Sequence, residues 1–77
     1  MSLIKNITND WSEPVVLAAD EIWQARWGSV FVTTTANPDP EDGVSLEQGQ
    51  GVLISAGTRV RYRKEGGVSA VIAHEAV

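Results

Sequence analysis

A chain of 77 residues with a net charge of −4 and no cysteine is one domain, and disulfides play no part in its stability. A single histidine and no thiol exclude an ordinary structural zinc site, which takes four nitrogen or sulfur ligands. The acidic balance makes nucleic acid an unfavoured partner, because phosphate contacts need a concentrated cationic surface.

The first segment, Leu3 to Thr8, alternates loosely and is expected to form an edge strand. Asn9-Asp10 and Ser12 to Pro14 follow as turns. Pro14 opens a second strand over Val15 to Leu17, since a first strand position tolerates the missing N–H. Residues 18–27 read two ways. As a helix, Ala19, Ile22, Trp23 and Trp27 share a face and Gly28 caps the end. As a strand, Glu21, Trp23, Ala25 and Trp27 alternate against Ile22, Gln24 and Arg26. The β-type segments close on either side favour the strand.

Ser29 to Thr35 is β-branched or aromatic after its serine and reads as a strand. Ala36 to Gly43 is the longest loop, its backbone biased to extended geometry ahead of Pro38 and Pro40. Four short β-segments come next, divided by glycine turns: Gly43 to Leu46, Gly51 to Ile54, Arg59 to Arg63 and Val68 to Glu75. Lys64 to Gly67 reads as a hairpin connection between the last two. The last segment is apolar on both faces, so a second sheet or a second copy is expected to cover it. The expected core is Val16, Trp23, Val30, Val32, Leu46, Leu53, Ile54, Val60, Tyr62, Val71 and Ile72.

No group of residues announces a reaction, and no catalytic, cofactor-binding or metal-binding residue is assigned. His74 is the one side chain that titrates unperturbed near neutrality, but no local signature ties it to Ser69 or Ser45. Glu75 beside it points to the opposite face of a strand. Asp39, Glu41 and Asp42 crowd three carboxylates into four residues, but two prolines restrict their convergence and the spacing does not fit a calcium-binding loop; a solvated turn is expected. The glycine pairs Gly49/Gly51 and Gly66/Gly67 lack the following Lys-Ser/Thr and helix of a phosphate loop.

Charge is unevenly placed. Residues 1–58 carry eight acids against two bases, and residues 59–77 four bases against two acids. Arg59, Arg61 and Arg63 fall on one face of a strand at a pitch of ~6.6 Å. Pairing with the chain's own carboxylates is the expected fate of these arginines. The alternative is a free stripe that meets a neighbouring copy or an anion. Trp11, Trp23 and Trp27 are three of five aromatic residues, too many for a core this small to bury whole. Trp23 is expected in the core, with Trp11 and Trp27 as candidate interface residues.

The run Leu46, Gly49, Ile54 and Ala56-Gly57 resembles the L-x-x-G-x-x-x-x-I-x-A-G rhythm of a cupin half-barrel. That resemblance implies jelly-roll-like geometry. It does not bring the cupin metal, because Arg59 stands just past Gly57-Thr58 and no H-x-H pair exists. Over residues 22–77 the order Gly28-Ser-Val-Phe-Val32, an acidic proline loop, Asp42 to Leu46, and Val60-Arg-Tyr-Arg63 is similar to small β-proteins encoded among phage and prophage structural genes. This second resemblance implies a particle component without a catalytic residue.

The expectation is therefore a single all-β domain over residues 1–77, a small sandwich or flattened jelly-roll-like barrel of about seven or eight short strands. A domain of this size buries only roughly 60–65% of its unfolded surface and gains by associating, so a homo-oligomer is expected. The expected role is a non-enzymatic structural or interaction protein, with other copies or other particle proteins as partners. Arg59, Arg61, Arg63, Trp11 and Trp27 are its candidate interface or anion-binding residues. The alternative is a cupin-like module that holds a small anionic ligand. No apolar run approaches the ~20 residues of a membrane-spanning helix, and no charged-then-apolar leader is present, so a cytoplasmic or virion-associated protein is expected.

Overall fold

Alternation of apolar and polar side chains decides where this chain extends, and all of its regular structure is β. The computed structural model describes residues 1–77 and contains eight strands. They are β1 (Ser2–Ile4), β2 (Val15–Val16), β3 (Glu21–Trp27), β4 (Val30–Thr33), β5 (Val44–Leu46), β6 (Gly51–Ile54), β7 (Arg59–Lys64) and β8 (Val71–Ala76). Two four-stranded antiparallel sheets result, ordered β1-β8-β3-β6 and β2-β7-β4-β5. The shortest dimension of the molecule is 17 Å, which accommodates two sheets about 10 Å apart with their outer side chains.

The pairing follows one rule: β1 with β8, β2 with β7, β3 with β6 and β4 with β5. A single long hairpin of four strand pairs, folded over itself, produces this order. It is a jelly roll, the double-sheet form of antiparallel fold. Consecutive strands otherwise alternate between the sheets, and β4–β5 is the one hairpin. Lys64 to Gly67 is therefore no hairpin turn. The segment crosses from one sheet to the other, because β7 takes β2 and β4 as neighbours while β8 takes β1 and β3. Covering of β8 comes from the opposite sheet on its inner face only.

The ambiguous stretch is a strand from Glu21 onward. Its central place between β8 and β6 satisfies backbone groups on both sides, and this pairing outweighs its helix propensity. Trp23 and Ala25 are buried while Ile22 and Arg26 are exposed, the period of two expected for a strand. A register shift between Ala25 and Trp27 then sets Trp27 opposite Val71. Trp27 consequently lies on the outer face, 57% exposed.

Between the sheets lie Ile7, Leu17, Trp23, Ala25, Val30, Val32, Leu46, Ile54, Val60, Ala70 and Ile72. Two expected core residues are instead exposed, Val16 and Leu53. Each sits on a short strand whose inward neighbour could have been chosen either way. Val15 pairs with the buried Val60, so Val16 pairs with Arg59 and turns outward, and Leu17 goes in. Val52 pairs with Trp23, so Leu53 pairs with Ile22 on the outer face. Tyr62 packs against the core half-buried, and Val71 is half-buried on the outer face.

Candidate functional site

The outer face of the β2-β7-β4-β5 sheet carries the three arginines, and they have three different environments. Residues 8–17 run beside β7, with the Lys64 N–H on the Thr8 carbonyl, the Ser12 N–H on Tyr62 and the Leu17 N–H on Thr58. This arm brings Trp11 and Ser12 over the stripe. Arg63 lies with its guanidinium 5.2 Å from the Trp11 ring and 4.4 Å from the Phe31 ring. It donates to the Pro40 carbonyl, and at 3.4 Å to the Lys64 carbonyl. The Trp11 indole N–H donates to the Asp39 carbonyl at 3.0 Å. Arg63 and Trp11 thus tie the N-terminal arm to the proline loop within one chain.

Gly43 permits that closure. Its φ is +103°, and a Cβ there would stand 2.9 Å from the Val32 carbonyl and 3.0 Å from the Trp11 ring. Arg61 donates to the Ser12 carbonyl at 3.0 Å, and the Ser12 hydroxyl accepts the Tyr62 N–H at 3.0 Å. Arg59 is exposed and makes no hydrogen bond.

The arginines do not pair with the chain's own acids, contrary to expectation. The single contact of a basic side chain with a carboxylate is between His74 and Glu21. Several carboxylates are occupied elsewhere. Asp20 accepts the Ala56 N–H at 2.8 Å, Asp42 accepts the Asp39 N–H at 2.8 Å, and Glu65 accepts the Ser45 hydroxyl at 3.1 Å. The Asp42 bond closes the acidic loop on itself, as a turn does.

His74 has a partner that sequence proximity does not disclose. β3 and β8 are neighbours, with Trp23 opposite His74, so Glu21 reaches the imidazole from the same inward face. The Glu21 Oε1 atom lies 2.9 Å from His74 Nδ1 and accepts the Trp23 indole N–H at 3.1 Å. The imidazole and indole rings stack with centroids 4.9 Å apart. Chemically, a carboxylate that orients an imidazole is the base half of a hydrolytic triad. Of the two serines considered above, Ser45 stands on the outer face of the opposite sheet, across from Phe31, with its hydroxyl on Glu65. Within the fold, Glu21 gives the wholly buried Trp23 the acceptor that a buried indole N–H requires.

Two of the surface recesses exceed ~300 Å3. A cleft of about 350 Å3 opens between the β5 and β6 edges, lined by valines 32, 44, 52 and 60 with Ile54 and bearing no charged group. A second of about 320 Å3 lies on the outer face over β7, lined by Pro14, Thr34, Thr35, Ala36, Asn37, Arg59 and Arg61. The two meet at Thr34, and neither Arg59 nor Arg61 lines the cleft between the edges.

The outer face of the other sheet carries an apolar patch, bordered by Gln24 and Glu75. Leu3, Ile22, Trp27 and Leu53 are exposed there, around the small Ala73 and Gly51. Its edge strand β6 reads Gly-Val-Leu-Ile, without charge or proline. The Ala25 N–H donates to the Gln50 carbonyl. Alternation then turns the backbone groups of Val52 and Ile54 toward β3, and those of Gly51 and Leu53 toward the free edge.

No protein-family model, no curated protein and no solved structure matches the chain.

Proposed function

We propose that this domain is a non-enzymatic structural or interaction protein that works as a homo-oligomer, its copies joined edge to edge along β6. The observation that carries the reading is the state of that edge. Free strand edges are sites of intermolecular pairing unless they are short, charged, proline-bearing or covered. β1 is three residues long and is followed by Lys5, β2 is two residues beside Pro14, and β5 is three residues after the proline loop. β6 has none of these protections at its centre, and Leu53 beside its free backbone groups is 65% exposed.

A two-fold axis through Val52 sets Gly51 of one copy against Leu53 of the other, and the reverse. The same surface serves both copies, the arrangement of an isologous dimer. The joined sheet has eight strands, and the exposed Ile22 and Leu53 of the two copies flank the junction on its outer face. A particle of repeated subunits, of the phage or prophage kind that the strand rhythm resembles, is the setting this architecture suits.

Light scattering after size exclusion, over a wide concentration range, tests the proposal. The unaltered chain is expected to be multimeric. Leu53→Pro removes the one N–H of Leu53, which points away from β3, and is expected to give a monomer with unchanged far-ultraviolet circular dichroism. A chain that is monomeric at every concentration, or a variant that stays multimeric, overturns β6 pairing.

A further inference from the structure

The recess over β7 is a second, independent site. We propose that it binds a small anion, a phosphate or carboxylate group carried on a hydroxylated body, with Arg59 and Arg61 as the charged contacts. Its place in the fold explains its composition. Thr33 pairs with Arg61, so the chain that leaves β4 passes Thr34, Thr35 and Asn37 along the stripe, while Pro14 closes the far side from the arm.

Three observations converge. The lining holds two guanidinium groups and no carboxylate. Neither arginine is in an ion pair, although the chain has ten acids for six bases. Arg61 is held in place by one donor on the Ser12 carbonyl, leaving the rest of its fork unengaged, while Arg59 is wholly unengaged. An anchored guanidinium beside an unengaged one can grip an oxyanion from two directions, and such charge-assisted bonds are the strong class.

The neutral lining sets the ligand's body. Two threonine hydroxyls and an asparagine amide offer donors and acceptors but little apolar surface. A volume of about 320 Å3 is at the small end of ligand sites, which start near ~300 Å3. Sugar phosphates and hydroxycarboxylates have this size and polarity.

The test is titration of inorganic phosphate and, separately, citrate into nitrogen-15-labelled protein, with ionic strength held constant by sodium chloride. Saturable amide shifts are expected at Thr34, Thr35, Asn37 and Arg59. Arg59→Gln, an exposed position whose loss leaves every hydrogen bond of the fold intact, is expected to weaken binding about tenfold, and Arg59→Lys less than that. The recess lies on the sheet that does not contain β6, so Leu53→Pro is expected to bind as the unaltered chain does. Shifts that do not saturate, that chloride reproduces, or that survive Arg59→Gln unchanged overturn the assignment.

Discussion

The Arg63 guanidinium sits against Phe31 and Trp11 and spends its N–H groups on two carbonyls, with Nε buried and unpartnered. Its planarity matters more than its charge, because a flat cation is what fits against two rings. Arg63→Lys keeps the charge and loses the stacking, and is expected to cost about 1–2 kcal/mol in urea unfolding, with altered Trp11 fluorescence. Arg59→Gln serves as the comparison and is expected to stay within about 0.5 kcal/mol of the unaltered chain. Equal effects of the two would show that Arg63 is only another surface charge. The alternation of Arg59, Arg61 and Arg63 was readable from the sequence, and they do share a face. Their inequality was not, because it depends on Trp11 and Pro40, 52 and 23 residues away from Arg63 along the chain. The Glu21–His74 contact is hidden for the same reason: it exists only once β3 and β8 are neighbours.

Among the elements, the β3–β4 corner is the tightest. Two residues, Gly28 and Ser29, carry the chain from one sheet to the other. Gly28 has φ of +65°, and a Cβ there would stand 2.6 Å from the Ser69 carbonyl oxygen. A side chain meets both a disfavoured backbone conformation and a backbone atom that cannot swing aside. Gly28→Ala is accordingly expected to destabilise by on the order of 2–3 kcal/mol. Gly57 has φ of +83° with open space around it, and Gly57→Ala is expected to cost about 1 kcal/mol. If thermal unfolding placed the two variants level, the contact with Ser69 would carry no weight. The strands themselves were legible, since runs such as Val30 to Thr33 are unambiguous in composition. What eluded sequence reading was partner choice. A glycine-containing connection between two strands reads as a hairpin whether it turns back or crosses over, and here almost every one crosses.

At the scale of the whole molecule, local contacts do little to organise the fold. One hairpin, β4–β5, closes early, and the other pairings enclose it in successively longer loops until β1 meets β8. Such topologies fold slowly, because loop-closure entropy precedes the gain from each long-range pairing. The all-β sandwich was predictable from strand number and turn spacing. The two orphaned surfaces, an apolar edge and an acid-free arginine recess, appear only once the sheets are assembled.

The outermost of those pairings sets Ser2 across from His74, with Val77 only three residues further along. Three extended residues span about 10 Å, so a linker of roughly four to six residues can join Val77 to Met1. The topology is then a closed circle, and its breakpoint becomes a free choice. The exposed Gly66-Gly67 crossing, where nothing approaches within 4 Å of an added Cβ, is the natural place to reopen it. A circular permutant cut there keeps every strand pair and is expected to show the parent's amide spectrum; loss of that spectrum would mean that the order of synthesis, and not the set of contacts, selects this roll.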